Sequence, residues 1–320
     1  MKELVLLLST SCNANCSFCT QNHLGNDMTI ERFKEILFQN PSLSSLELFG
    51  GEPLINFKVI KNIFDNKTDK ELIDRLSGIE NIKITTNGLL LTQEIYEFFV
   101  NLNKKIKTTI VISYDGIFQN QRGYQLPTRV KDIIKNDAGT NKLIRISFGV
   151  YNHPDKLLDQ YLGIKEEFSL TPNNIDFYFN RNYYEYPNDI ITKFMFGFMK
   201  FLIYLDTFRL PLPNRLKEYH MRILGDIGPS RGCGAGIDRF AFTPTSKLNC
   251  GVINNSENID LPTEVEFNQM CSGCSIINQC PRKCPAMLKH AYDNNLNQDN
   301  ILCDIHKIIV SSIKKYYTKE

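Results

Sequence analysis

The chain has no surplus of charge, no apolar run long enough to span a membrane, no internal repeat and, between Cys19 and Cys233, no cysteine. Each absence excludes something. Lysines and arginines number 37 against 35 aspartates and glutamates, a net charge of +2, so there is no polyanion-binding surplus and a nucleic-acid partner is not expected. The apolar run 4–8 is far too short for a signal-peptide core. Residues 194–205 are apolar and aromatic, but Lys193, Lys200 and Asp206 bound or break them, short of the about 20 residues that cross a bilayer. They read as a buried amphipathic helix. A cytoplasmic protein that meets neither membrane nor nucleic acid is the expectation.

Ten cysteines are present, many for such a chain. Disulfide scaffolds are usually short and secreted, whereas clustered thiols in a reducing compartment more often bind metal. Cys12, Cys16 and Cys19 form one group. Cys233, Cys250, Cys271, Cys274, Cys280, Cys284 and Cys303 form the other. This segregation predicts two separate metal-binding regions.

Up to residue 210, short β-branched apolar runs alternate with longer helical patterns. Strands are expected at 3–9, 46–49, 82–86, 108–113, 144–150 and 175–180, nearly continuous in apolar character, as strands covered on both faces should be. Helices are expected at 30–38, 58–65 with 70–76, 93–101, 130–135, 156–167 and 190–208. Six strand–helix units in a row predict an α/β fold, a partial and open (β/α)6 barrel rather than the closed eightfold one. The prolines Pro211 and Pro213 mark a linker. Beyond it lie a short helix at 215–224, a loop-rich cysteine region and a closing helix at 305–316. Two domains are expected, 1–210 and 211–320.

Cys12, Cys16 and Cys19 read C-x3-C-x2-C and directly follow the first strand, at the sheet end where α/β folds carry their chemistry. Three thiolates on one loop can hold three irons of a [4Fe–4S] cube and leave the fourth open. Structural zinc would want four ligands. With Phe18 just before the third cysteine, the loop resembles that of the radical S-adenosylmethionine (radical SAM) superfamily. Supporting motifs follow in order. Gly50-Gly51-Glu52-Pro53 after strand two resembles the family's GGEP turn, Thr85-Thr86-Asn87-Gly88 follows strand three, and Ser113-Tyr114-Asp115-Gly116 resembles its S-x-D-G.

The resemblance implies a cluster whose open iron chelates the amino and carboxylate groups of S-adenosylmethionine, and whose electron cleaves the sulfonium to a 5′-deoxyadenosyl radical. It implies roles for single residues. Gly50 and Gly51 let backbone approach the methionyl amine, Glu52 and Pro53 complete that turn with Glu52 accepting the amine's hydrogen bond, Ser113 contacts the ribose, Asp115 is a further cofactor-binding candidate, and Phe18 packs near the adenine. Arg122 is the candidate for the methionyl carboxylate, with Arg129 as substitute. Asp115-Gly116 also suits an ordinary turn, and Thr85–Gly88 suits sheet support as well as direct contact.

The second cysteine group is C-x2-C-x5-C-x3-C over Cys271, Cys274, Cys280 and Cys284, with Cys303 beyond. Paired C-x2-C also fits zinc. The array resembles the SPASM extension of radical SAM peptide maturases, which holds two auxiliary [4Fe–4S] clusters and would bring the total to three. The resemblance assigns Cys271, Cys274, Cys280 and Cys303 to the distal cluster and Cys233, Cys250 and Cys284 to the proximal one, with an open iron where an eighth cysteine is missing. Thr245 stands where relatives have glycine. His220, His290 and His306 lack ligand spacing and read as core or surface residues. Tyr183, Tyr184 and Tyr186 are candidates for the substrate mouth or for core.

The function implied is modification of a ribosomally made peptide or a protein side chain, by cross-linking or oxidation. A reductase, flavodoxin or ferredoxin would supply electrons. With no segment before strand one to bind a leader, a separate recognition protein, a core-gripped leader or no leader at all is expected. Two other classes remain. A formylglycine-forming dehydrogenase would carry aspartate directly after Cys250, where this chain has Gly251. A non-catalytic cluster protein would not need the turn at 50–53 beside an incomplete ligand set.

Overall fold

The computed structural model describes residues 2–19, 21–150, 153–179, 189–227, 239–248, 269, 271–280 and 301–317. Its strands are β1 (Lys2–Ser9), β2 (Leu43–Gly50), β3 (Asn81–Thr86), β4 (Lys107–Ser113), β5 (Ile144–Val150), β6 (Ile175–Phe179), β7 (Arg239–Phe242) and β8 (Lys247–Leu248). Its helices are α1 (Ile30–Gln39), α2 (Phe57–Phe64), α3 (Lys70–Ser77), α4 (Gln93–Asn103), α5 (Thr128–Gly139), α6 (Leu157–Phe168), α7 (Ile190–Thr207), α8 (Asn214–Leu224) and α9 (Ile301–Tyr317). All six expected strands and the expected helices are present, most within a turn of their expected ends.

Two compact units are distinguished. The first draws on Met1–Tyr114, Gln119–Ile146 and Ala235–Ile259. Its strands lie in the order β4-β3-β2-β1-β7-β8, with the start of β5 beside β4. The pairs β1–β2, β2–β3, β3–β4 and β1–β7 are parallel, and β8 turns back antiparallel on β7. Helices start where the sequence offers a cap. Thr29, Asp69 and Thr92 accept the backbone N–H of Arg32, Leu72 and Ile95, each cap contributing about 1 kcal/mol.

β1 is buried at every position from Leu4 to Leu8, as expected of a strand covered on both faces. β3 and β4 differ, because alternate residues there are only half-buried. Ile82, Ile84, Ile110 and Ile112 face the core, while Lys83, Thr85, Thr109 and Val111 do not. The side-chain period of two puts the polar set on one face of the sheet. On β1 that same face is apolar: Val5 and Leu7 pack with Ala241, Leu248 and Phe49. β7 and β8 were not foreseen. They cover the edge of β1 that six strands alone would leave unpaired. The chain after residue 211 is therefore shared out, since Arg239–Leu248 belongs with the first unit and α8 and α9 with the second.

The second unit holds Asp115–Phe118, Ser147–Gly234 and Asp260–Glu320. α7 is apolar on most of its circumference and packs against α6 and α9. Tyr161, Phe177 and Phe201 meet edge to face, with Phe148 against Phe177. His306 on α9 is buried and hydrogen-bonded to Tyr219 of α8, and His220 meets the Tyr317 carbonyl, so both are structural. His290 and Tyr183, Tyr184 and Tyr186 lie outside the described residues.

Gly197 shows how closely this unit is packed. A Cβ there would stand 2.0 Å from the Pro154 carbonyl oxygen, which is backbone and cannot swing aside. Gly197→Ala should destabilise by about 3 kcal/mol, through overpacking. Gly163→Ala on α6, where a Cβ meets nothing within 4 Å, should stabilise by about 0.5–1 kcal/mol. Urea midpoints of the two variants measure both.

Candidate active site at the cysteine loop

β1 ends at Ser9 and the cysteine loop begins three residues later. The loop is held by the turn that follows β2. Gly51 N–H donates to the Ser9 carbonyl at 2.9 Å and Glu52 N–H to the Ser11 carbonyl at 2.9 Å. Such an approach requires glycine. A Cβ on Gly50, whose φ is +140°, would lie 2.2 Å from Ser9 O, and one on Gly51 would lie 2.3 Å from Ser11 O and 3.1 Å from Cys12 Cβ. The local sequence thus presses the Gly50–Pro53 turn against Cys12.

The carboxylate of Glu52 is fully buried. Its Oε1 accepts from Leu54 N–H at 3.0 Å and from the Thr86 hydroxyl at 2.7 Å, and its Oε2 accepts from Asn87 N–H at 2.8 Å. The acid therefore staples the β2 turn to the β3 turn. Burial pushes its pKa to about 7, against the opposing pull of those three donors. Pro53 starts the short 3-10 turn that Glu52 caps.

Cys12 and Cys16 are half-buried and Cys19 is exposed. Ala14 N–H donates to Cys12 Sγ at 3.4 Å, Asn87 Nδ2 points to the same sulfur at 3.8 Å, and His23 Nε2 lies 3.6 Å from Cys19 Sγ. Burial raises the Cys12 pKa, with smaller contributions from Glu52 and Cys19. Across the loop, Ser17 N–H donates to the Gln121 carbonyl at 3.2 Å. The buried Arg122 guanidinium stands 5.2 Å over the Phe18 ring. Arg129 points elsewhere, to the Leu89 carbonyl. Ser113 ends β4, and its carbonyl accepts from the Tyr124 hydroxyl at 3.3 Å.

Residues 6–146 match the model of the Radical SAM superfamily. That stretch, under half of the chain, is a radical SAM domain. The radical SAM cyclopropyl synthase TigE of Paramaledivibacter caminithermalis is 22% identical, over 97% of this chain and 73% of that protein. The structure of native anSMEcpe with bound AdoMet and Cp18Cys peptide superposes with a TM-score of 0.69 at 16% identity, covering 98% of this chain and 96% of that one. SuiB of Streptococcus suis bound to precursor peptide SuiA gives 0.56 at 17% identity, over 81% of this chain and 62% of SuiB, less than two thirds of its length. The radical SAM fold is common to them.

The residues present suit the cluster of this superfamily. Among the described residues, no three His, Cys, Asp or Glu side chains close on a single metal-ion position. A cube needs no such convergence, because each thiolate serves its own iron. The two glycines let the turn's backbone meet the loop with no Cβ between them, and a bound iron would draw the proton from Cys12 despite its burial.

Asp115 is in the second unit, fully buried, where its Oδ1 accepts from Gly149 N–H at 2.7 Å and its carbonyl from Gln160 at 2.8 Å. Cys233, Cys250 and Cys284 lie outside the described residues. Cys271, Cys274 and Cys280 sit on successive tight turns. Gln279, beside Cys280, meets Lys314 of α9. Lys307 has a raised pKa, chiefly through its hydrogen bond to Asp304. Thr245 needs no glycine geometry. The β7–β8 turn is closed by Thr243 Oγ1, which accepts from Thr245 N–H at 3.2 Å and Ser246 N–H at 2.9 Å. Tyr124 and the side chain of Asn87 were not singled out from the sequence. The motif 85–88 was the signal for Asn87, while nothing local distinguishes Tyr124.

Gly51→Ala should displace the cysteine loop, and iron bound per chain after anaerobic reconstitution should fall by about 4, one four-iron cluster. For Glu52, the pKa rises on folding from 4.5 to about 7. Its protonated form is favoured by the fold, so its contribution is complete below pH 4.5 and is lost as pH rises to about 7. That loss is about 3 kcal/mol. Urea titrations of the metal-free chain between pH 4.5 and 7.5 should show this slope in wild type and not in Glu52→Gln.

Proposed function

We propose that this radical SAM enzyme modifies a ribosomally made peptide or a protein side chain, by forming a cross-link or by oxidation, with residues 1–210 as the radical-generating part and 211–320 as a SPASM part. In this reading Cys12, Cys16 and Cys19 hold a [4Fe–4S] cluster with one open iron. Cys271, Cys274, Cys280 and Cys303 hold a distal auxiliary cluster, and Cys233, Cys250 and Cys284 a proximal one. The contact between the Gly50–Pro53 turn and the cysteine loop, two backbone hydrogen bonds at 2.9 Å, carries the reading. It supports a site where backbone, rather than a side chain, faces the methionyl amine of S-adenosylmethionine.

When bound, cluster and S-adenosylmethionine together supply a 5′-deoxyadenosyl radical able to take a hydrogen atom from the substrate. The chain's own residues prepare that event. Glu52 pins the turn through Leu54, Thr86 and Asn87 rather than spending its charge on the cofactor. Arg122 supplies the buried cation for the methionyl carboxylate, held by the face of Phe18 at 5.2 Å, an arrangement worth about 1 kcal/mol or more when desolvated. Phe18 offers its remaining surface to the adenine, and Ser113 its hydroxyl to the ribose. Asp115 acts at one remove, by tying the loop after β4 to Gly149.

A peptide substrate is supported by the company the fold keeps: SuiB is bound to precursor peptide SuiA, and anSMEcpe to the Cp18Cys peptide. Formylglycine formation is disfavoured by Gly251 following Cys250. A one-electron donor of the flavodoxin or ferredoxin kind, or a reductase, would serve the cluster. Among the described residues no helix is long and apolar enough to cross a membrane.

Reconstituted protein should hold about 12 irons, three four-iron clusters. Cys16→Ala should abolish 5′-deoxyadenosine formation under dithionite, and undiminished cleavage would remove the radical SAM chemistry. Cys250→Ala should keep cleaving S-adenosylmethionine while peptide product, followed by mass spectrometry, disappears. Normal peptide turnover in that variant would reduce the auxiliary clusters to structural supports.

A further inference from the structure

Asn87 sits between the cysteine loop and buried Glu52 and uses every hydrogen-bonding group it has. Its backbone N–H donates to Glu52 Oε2 at 2.8 Å. Its carbonyl accepts from the Tyr124 hydroxyl at 3.1 Å, and its Oδ1 accepts from Leu89 N–H at 2.9 Å. The side-chain nitrogen has two hydrogens and two acceptors, Asn13 Oδ1 at 2.7 Å and Cys12 Sγ at 3.8 Å. Because Leu89 N–H needs an oxygen opposite it, the amide cannot be turned over, and its NH2 end must face the loop. The residue is 8% exposed, so water does not compete well for these bonds.

We infer that Asn87 is a positioning residue that donates an N–H···S hydrogen bond to the Cys12 thiolate and thereby raises the reduction potential of the cluster on the cysteine loop. The inference rests on the cluster assignment made above. Reduction adds one electron, from an external one-electron reductant, to a cube whose charge extends onto its thiolate sulfurs. A donor aimed at one of those sulfurs stabilises the reduced state more than the oxidised one, and burial strengthens the effect. Cys19 is exposed, so the contact of His23 with it is open to water. The Ala14 N–H contact to Cys12 belongs to the loop itself and comes with any such loop. Asn87 reaches Cys12 from β3, at 75 residues' separation, so its donation is a property of the folded sheet.

The test is a potentiometric titration of anaerobically reconstituted protein, followed by the paramagnetic resonance signal that changes when S-adenosylmethionine is added. That response separates this cluster from the auxiliary ones. Asn87→Ala should keep the wild-type iron content and shift the reduction equilibrium about tenfold toward the oxidised form, about 59 mV lower for one electron. Tyr124→Phe loses the bond to the Asn87 carbonyl without touching the sulfur, and should keep the wild-type potential. A wild-type potential in Asn87→Ala overturns the inference, and so does an equal shift in Tyr124→Phe, which would mark general loosening. Should Asn87→Ala fail to hold the cluster, Asn87→Leu keeps most of the side-chain volume and removes the donor without adding a charge. A lowered potential there supports the inference. An unchanged or raised one, or loss of the cluster in both variants, overturns it in favour of a structural role. Absence of any S-adenosylmethionine-responsive signal in wild-type protein would instead refute the cluster assignment, before any substitution is made.

Discussion

Two peptide N–H groups, those of Gly51 and Glu52, reach across to the carbonyls of Ser9 and Ser11, and the site depends on that reach. β1 and β2 run parallel in a register that brings Ser9 opposite Gly50, so both strands end together and their loops must share one space. Side chains would not fit there. The absence of Cβ at residues 50 and 51 allows contact that any other residue would block, with carbonyl oxygens at 2.2 and 2.3 Å from where those atoms would stand. The cysteine loop therefore rests on backbone, and backbone does not change rotamer. Local rigidity of this kind suits a loop whose three thiolates must be held in place with few side chains to brace them.

The second constraint is electrostatic. Placing Glu52 in the core is costly, and its rise to pKa about 7 records the cost. Three donors offset it, and in return one carboxyl group links the turns after β2 and β3. On another part of the sheet, Glu47 is nearly buried yet pairs with Lys83 at 2.8 Å and accepts from Thr85 at 3.2 Å. Both acids are bound by groups on or just after β3, a strand that is half-buried on alternate residues. These partners fit the alternating sequence of Asn81–Thr86, unlike the continuous apolar run Leu4–Leu8 of β1.

The second unit owes its order to aromatic packing and to α9. Tyr219 and His306 join α8 to α9 inside the protein, and Cys303 lies at the start of the same helix. The chain thereby anchors Cys303 on a helix, while Cys271, Cys274 and Cys280 sit on turns.

Much of this protein was legible without coordinates. Strands and helices follow from apolar period and from caps such as Thr29, Asp69 and Thr92, which act over three or four residues and so are written locally. The spacing of Cys12, Cys16 and Cys19 and the Gly50–Pro53 turn are local too, and they carried the family. The sequence could not say that Arg239–Phe242 would close the edge of β1, because pairing across more than 200 residues depends on which edge the rest of the fold leaves open. Nor could it say where buried polar side chains point. Glu52 is held by Leu54, Thr86 and Asn87 and Asp115 by Gly149 and Gln160, and Arg122 rather than Arg129 came to lie over Phe18. The sequence by itself determined the elements, their order and the chemistry of the loop, since these rest on short-range steric and hydrogen-bonding preferences. Only the tertiary structure decided which partners satisfy Glu52, Asn87 and Cys12, because a buried donor or acceptor must be paired by whatever the packing brings within reach.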